Sequence, residues 1–328
     1  MTAARVDAEL VRRGLARSRA QAGELVRAGR VSAGGRPVAK ASAPVSDDVE
    51  LVVDEDPDDP GYASRAALKL SGALDALAAD PAGRRVAEQV AGAWCLDLGA
   101  STGGFTDVLL RRGAAQVVAL DVGHDQLVPR LREDPRVTVV EGYNVRSLRR
   151  EDLDHAPDLV VGDLSFISLT LVLPALVPVL EAGTEAILMV KPQFEVGRER
   201  LGAGGVVRDP ALQAAAVEAV IAAGAREGLH AWAVVPSPLP GPSGNREYFV
   251  AFERGDRLAT DRPAPDRLAT DRLTTDRPAP GGGLGPVAAV RAAVAWRPSE
   301  DGSATPPVLL IDHALPSDAL PAPIGGSP

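Results

Sequence analysis

Residues 94–106 read Trp94-Cys95-Leu96-Asp97-Leu98-Gly99-Ala100-Ser101-Thr102-Gly103-Gly104-Phe105-Thr106. A short apolar run that breaks into glycines and small polar residues, then resumes with helical spacing, reads as a buried strand turning into a helix. Glycines at that turn let backbone come close to a ligand beside the positive end of the helix, which implies a nucleotide-like ligand. Working outward, the apolar runs alternate with helical patterns. Helices are expected at 65–77, 104–112, 124–132, 170–181 and 210–227, and strands at 94–98, 116–121, 137–140, 158–162, 186–190, 231–235 and 246–252. Such alternation specifies an α/β domain of Rossmann-like type, over residues 62–254: a mostly parallel seven-stranded sheet, with helices on both faces and an antiparallel last strand.

The chain has 328 residues, 45% hydrophobic and 24% charged, with a net charge of −9. That total argues against a nucleic-acid partner, but local charge is what meets a phosphate. From Arg5 to Lys40 there are nine basic residues against Asp7, Glu9 and Glu24, so this segment is basic within an acidic chain. Its pattern is two short amphipathic helices, the first with Val6, Leu10 and Val11, the second capped by Ser18 with Ala22, Leu25 and Val26. A tight hairpin follows over Val31–Val38, then a strand over Val49–Val53. The acidic, proline-containing stretch 54–61 reads as a linker. After Glu253 a five-residue Asp-Arg repeat begins at Asp256; its period fits neither helix nor strand, so residues 255–328 read as a mostly disordered tail with a helix at 287–296. The single cysteine, Cys95, excludes a disulfide framework within the chain and fits a cytoplasmic location. The N-terminus lacks the apolar run of a signal peptide, and the longest apolar stretch is interrupted by Pro174, Pro178, Glu181 and Glu185, so no stable membrane association is expected. No metal site is expected.

Lysine is scarce: Lys40, Lys69 and Lys191 are the whole set among 35 basic residues. Two lysines inside the α/β domain of an arginine-rich chain point to chemistry that guanidinium, which does not deprotonate, cannot support. Asp163 follows a strand, Lys191 ends one, and Glu247 opens the last, so all three belong near the rim where open α/β sheets bind ligands. Asp121, at the end of the second strand, suits hydrogen bonding to ribose hydroxyls.

The segment R-V-D-A-E-L-V-R-R-G-L-A-R-S-R-A-Q-A-G-E-L-V-R-A-G-R-V resembles the S4 domain, an RNA-binding module. The resemblance makes residues 1–53 an RNA-docking unit, with Arg5, Arg17, Arg19, Arg27 and Arg30, and Arg65 beyond it, as phosphate contacts. D-L-G-A-S-T-G-G-F-T resembles motif I of the RrmJ/FtsJ-type RNA methyltransferases, whose ligand is S-adenosylmethionine. On that likeness Asp97, Gly99, Ser101, Gly103 and Phe105 line the methionine part, Asp121 binds the ribose and Asn144 faces the adenine, in a class I methyltransferase fold. Lys69, Asp163, Lys191 and Glu247 then match the Lys-Asp-Lys-Glu tetrad of 2′-O-methyltransferases. Together with K-P-Q-F-E-V-G, G-G-V-V-R-D-P and P-S-P-L-P-G-P-S-G-N-R-E-Y-F, these strings resemble the TlyA, or haemolysin A-like, family from about Arg5 to Phe252. The resemblance implies methylation of cytidine ribose in 16S and/or 23S rRNA, on 30S or 50S subunits. It also makes Lys191 the favoured base, with a monomer the favoured oligomeric state. Two departures stand out: S-R-A-A where S-R-G-G is usual ahead of Lys69, and the inserted repeat. Membrane-active and catalytically silent ribosome-binding readings stay open at this stage.

Overall fold

The computed structural model describes residues 4–16, 19–54, 60–255, 283–298 and 304–312. They fall into two compact units that divide between Ser64 and Arg65.

In the first unit, helices Val6–Arg12 and Arg19–Arg27 each end in a tight turn. Gly14 and Gly29 make those turns with φ of +72° each, backbone that side chains with a Cβ rarely adopt. A three-stranded antiparallel sheet follows, in the order Arg36–Pro37, Val31–Ala33, Leu51–Val53. Val6, Leu10, Ala22, Leu25, Val26, Val31 and Leu51 close a small core between helices and sheet. Arg17 and Ser18 lie outside the described residues, as do residues 55–59 of the expected linker.

The second unit is built on eight strands: β1 Trp94–Leu98, β2 Gln116–Leu120, β3 Val137–Val140, β4 Leu159–Gly162, β5 Glu185–Val190, β6 Leu229–Pro236, β7 Tyr248–Arg254 and β8 Leu309–Leu310. Their spatial order is β8-β6-β7-β5-β4-β1-β2-β3. β4, β1, β2 and β3 pair in parallel with one another and with β5, whereas β7 runs antiparallel to both β5 and β6. The order reverses between β1 and β4, which opens a crevice at their carboxyl ends. The central strand β5, Glu-Ala-Ile-Leu-Met-Val, is buried along its whole length, as a parallel strand covered on both faces must be.

The sheet holds one strand more than the seven expected. Leu309–Leu310 adds antiparallel to the outer edge of β6, so a part of the chain read as structureless tail is folded. Helix Pro286–Ala295 buries Ala289, Val290, Ala293 and Val294 in the main core. The Asp-Arg repeat itself lies outside the described residues.

Two expected helices are shorter. In place of 124–132 there is one turn, Pro129–Arg132, because Asp125 takes a left-handed φ of +54° and the residue before a proline is disfavoured in helical backbone. The 170–181 helix becomes three short turns, Leu169–Leu171, Leu173–Leu176 and Val177–Val179. Pro174 and Pro178 each remove an amide that a continuous helix would have used.

Candidate active site

The carboxyl ends of the parallel strands carry the site. β1 runs into Gly99, whose φ is +84° and whose missing Cβ would stand 3.1 Å from the Asp163 carbonyl oxygen. Gly103, at φ +95°, opens helix Gly104–Arg111; a Cβ there would meet Leu127 Cδ1 at 2.8 Å. Ser101 between them is left-handed as well, with φ +46°. The loop is held open by Asp121 at the end of β2, whose Oδ2 accepts from Ser101 N at 2.8 Å and whose Oδ1 accepts from Gly123 N at 2.7 Å. A carboxylate oxygen has room for more than one donor, so Asp121 can still accept from ribose hydroxyls.

Asp97 is fully buried in β1. Its Oδ2 accepts from Thr106 Oγ1 at 2.7 Å, while Oδ1 has no hydrogen-bond partner among the described residues. Burial, reinforced by the negative charge of Asp163 and Asp121, pushes its carboxyl up to about 7. A buried acid with one oxygen left unpartnered among the described residues, beneath a glycine loop at a helix start, suits a ligand that brings positive charge and hydrogen-bond donors. S-adenosylmethionine, with its amino group and sulfonium, has both.

Two other cofactor candidates stand differently from expectation. Phe105 is 2% exposed with its ring centroid 6.1 Å from that of Phe249, so the side chain belongs to the core and what it can offer a ligand is backbone N–H in the first helical turn. Asn144 is exposed after β3, and its Oδ1 accepts from Arg146 N at 3.1 Å as the cap of a short turn. An adenine contact would therefore come from its amide N–H₂.

The four acid and base candidates form two ion pairs. Lys69 Nζ donates to Glu247 Oε2 at 2.5 Å, with both side chains buried. Lys191 Nζ lies 2.6 Å from Asp163 Oδ1 and donates to Ser165 Oγ at 2.8 Å. The strands explain the convergence. Val190 sits opposite Tyr248 in the β5–β7 ladder, which makes Lys191 and Glu247 neighbours just past its end; Gly162 pairs with Leu188 and Leu98, which sets Asp163 between the lysine strand and the glycine loop. Glu247 precedes β7 by one residue rather than opening it.

Lys69 reaches the same place from the first turn of helix Ala66–Ala79. Gly72, one turn on, lets that helix lie against the chain leaving β6: a Cβ there would be 2.8 Å from Pro238 Cγ. On the other side Gly241 gives Glu247 its room, since a Cβ would stand 2.5 Å from Oε1. Asn245, two residues before Glu247, accepts from Val207 N at 2.9 Å and donates to the Gly205 carbonyl at 3.0 Å, fixing the approach.

Sequence reading passed over Ser165, Glu195 and Phe166. Serines and glutamates are common and carry no signal of their own. Phe166 is 91% exposed, with a left-handed φ of +64°, and its ring centroid stands 5.3 Å from that of Phe194. An exposed phenylalanine in strained backbone, next in sequence to the serine that Lys191 contacts, is a signal that the structure adds and composition could not.

The arginine candidates are dispersed. Arg5 and Arg19, from separate parts of the first unit, both donate to the buried Asp7, at 2.7 Å and 3.2 Å from Oδ2, and both remain over half exposed. The hydrogen bonds from Arg5 and then Arg19, helped by their charge, hold the Asp7 carboxyl well below its usual range against the opposing effect of burial. Arg27 is exposed, Arg30 is partly buried and donates to the Asp54 carbonyl, and Arg65 is exposed at the start of the second unit. Arg17 is outside the described residues. Arg12 and Arg13 both turn onto the buried Glu9.

An FtsJ-like methyltransferase family model matches residues 62–254, and an S4 domain model matches residues 4–51. The chain is 54% identical over 259 residues to the Mycobacterium tuberculosis 16S/23S rRNA (cytidine-2′-O)-methyltransferase TlyA, which covers 79% of this chain and 91% of that protein. It is 36% identical to Hemolysin A of Brachyspira hyodysenteriae, over 76% of this chain and 99% of that one. A solved Streptococcus thermophilus structure that carries a hemolysin name superposes with a TM-score of 0.61 at 38% identity, covering 78% of this chain and 90% of the other. Both domains, the sheet with its reversed seventh strand and these relatives lead to one assignment: the chain belongs to the TlyA family of S4- and FtsJ-domain rRNA methyltransferases.

Proposed function

We propose that this protein methylates the 2′-hydroxyl of cytidine in 16S rRNA, 23S rRNA or both, within ribosomal subunits, using S-adenosylmethionine, and so works in the cytoplasm where those subunits are. The observation that carries the reading is Lys191 at the carboxyl end of β5, 2.6 Å from Asp163, with only β4 between its strand and the strand that runs into the glycine loop.

Bound S-adenosylmethionine supplies an electrophilic methyl group on a sulfonium. Gly99, Ser101 and Gly103 give it a backbone cradle, Asp97 and Asp121 accept its donors, and Asn144 faces the base. Lys191 is the favoured acceptor of the hydroxyl proton. As that proton arrives, positive charge develops on Nζ beside the Asp163 carboxylate, which stabilises it more than it does the starting state. Lys69 and Glu247 neutralise one another and present a fixed edge that orients the ribose, so the attacking oxygen is held in line with the bond to sulfur. Once the proton is on Lys191, the two lysines and two carboxylates together carry no net charge. Arg5 and Arg19, carried on the S4 unit, supply phosphate affinity.

The test is transfer of a labelled methyl group from S-adenosylmethionine to isolated 30S and 50S subunits by wild type and Lys191→Ala. Label on cytidine ribose with wild type, lost in the variant, is expected. Counts at background with both subunits would overturn the reading, and counts undiminished in Lys191→Ala would remove the lysine from its role.

A further inference from the structure

Beyond the tetrad, one carboxylate gathers contacts that no part of the proposed chemistry uses. Glu195 ends the one-turn helix Pro192–Glu195 that follows Lys191. Its Oε1 accepts from the backbone N of Leu169 at 2.9 Å, and its Oε2 accepts from Ser168 Oγ at 2.5 Å. Ser168 and Leu169 close the loop that Asp163 opens. The same six-residue loop holds Ser165, which accepts from Lys191, and Phe166, in left-handed backbone and almost wholly exposed.

The segment Lys191–Glu195 therefore grips the loop at both ends. Lys191 takes Asp163 and Ser165 at the near end, and Glu195 takes Ser168 and Leu169 at the far end. Asp163 has its own anchor, since its backbone N donates to the Leu98 carbonyl at 3.0 Å. Among the described residues no backbone–backbone hydrogen bond holds Ser165, Phe166 or Ile167, and a positive φ at a non-glycine residue costs energy that surrounding contacts must offset.

We infer that Glu195 is a positioning residue for methyl transfer: it latches the Asp163–Ser168 loop so that Asp163 and Ser165 stay on Lys191 Nζ and Phe166 stays presented at the mouth of the site. The inference rests on the proposed role of Lys191. Burial pushes the Glu195 carboxyl up to about 7, against the pull of its two hydrogen bonds. At neutral pH the group thus passes between charged and neutral forms, and both can hold the loop: the neutral form accepts from Leu169 N with one oxygen and donates to Ser168 Oγ with the other. Glutamine reproduces the neutral form, with its amide N–H₂ donating to the serine. Alanine reproduces neither.

The experiment measures kcat and KM for ribosomal subunits in wild type, Glu195→Gln, Glu195→Ala and Ser168→Ala. Rates are normalised to the stoichiometry of S-adenosylhomocysteine binding, so that unfolded protein is not counted. A displacement of about 1 Å in a positioned group can cost on the order of a hundredfold. Glu195→Ala should lose at least tenfold in normalised kcat, Ser168→Ala a smaller factor in the same direction, and Glu195→Gln should stay within about threefold of wild type. Affinity for S-adenosylhomocysteine should hold within threefold throughout, because the glycine loop and Asp121 are untouched. Normalised kcat of Glu195→Ala within twofold of wild type overturns the inference. So does a Gln variant as impaired as the Ala variant, which would make charge the working feature, or a parallel fall in cofactor affinity, which would mark a general collapse. Inactivity of the wild type is a different result: it removes the proposed function and leaves the latch without a reaction to serve.

Discussion

Lys69 and Glu247 stand 178 positions apart in the chain and 2.5 Å apart in space, both buried. Removing one partner of such a pair strands a charge away from water, at about 3–5 kcal/mol, while replacing both with apolar residues of similar size is often neutral. Lys69→Ala and Glu247→Ala should each lower the denaturant unfolding free energy by that order, and Lys69→Met with Glu247→Leu should recover most of it while methyl transfer stays absent. Equal stability of all three in urea unfolding would mean that the pair is not closed in solution. Asp97 gives a second test. Its folded carboxyl titrates near 7 against an ordinary value of 3.8, so the folded state binds the extra proton between those limits. Stability from this group is complete below about 3.8 and is lost as pH rises to 7, on the order of 4 kcal/mol for a shift of about three units. Asp97→Asn should remove that part of the decline, read as a smaller fall in melting temperature from pH 4 to 7 than in wild type. Lysine scarcity made Lys69 and Lys191 legible before any fold was known. Which carboxylate each would meet was not, because pairing depends on strand register, and that is fixed by contacts far apart in sequence.

At the scale of elements, periodicity located each strand of the parallel sheet to within a residue or two, since buried β-strands with turn signals on both sides leave little choice. The failures share a cause. Between 124 and 132 and between 170 and 181 the apolar spacing suits a helix, but Pro129, Pro174 and Pro178 set backbone limits that outweigh it. The helix expected at 287–296 stands as Pro286–Ala295, docked in the main core; what local pattern did not offer is the strand Leu309–Leu310, two residues held by docking alone. Arg246 shows how that docking reaches the site. It neighbours Glu247 and donates to the carbonyls of Val294, at 2.8 Å, and of Trp296, at the carboxyl end of the tail helix, where a cation is favoured. The helix carrying Lys69 is placed just as closely by Gly72. In Gly72→Ala the Cβ, 2.8 Å from Pro238 Cγ, must push the two apart. The expected result is a kcat reduced by about tenfold with cofactor affinity preserved, since a small misplacement of a group that orients the substrate is costly. A kcat equal to wild type would show that Pro238 yields instead.

For the molecule as a whole, the net charge of −9 conceals a division of labour: an acidic chain in which the Arg5–Lys40 segment of the N-terminal unit is basic. The structure sharpens which arginines in that unit can meet phosphate. Arg12 and Arg13 are drawn onto buried Glu9, whereas Arg5 and Arg19 share the single charge of Asp7, leave one positive charge uncompensated and stay over half exposed. The sequence already set Arg5, Arg17, Arg19, Arg27, Arg30 and Arg65 apart as phosphate contacts; the fold adds why Arg12 and Arg13 stand outside that set, both turned onto Glu9. Binding to rRNA by counterion release loses affinity linearly in log salt, with a slope of about 0.7–0.9 for each phosphate contact. Arg5→Gln with Arg19→Gln should therefore weaken binding of ribosomal subunits at low salt by tenfold or more and make the slope shallower by about one to two. S-adenosylhomocysteine affinity should not change, because its proposed ligands all lie in the other unit. The control is Arg12→Gln, whose guanidinium is already satisfied by Glu9 and Asp47 and which should leave the salt slope as it was. If the two sets of variants shift the slope alike, phosphate contact is spread evenly over the basic unit and the Asp7 pair has no special standing.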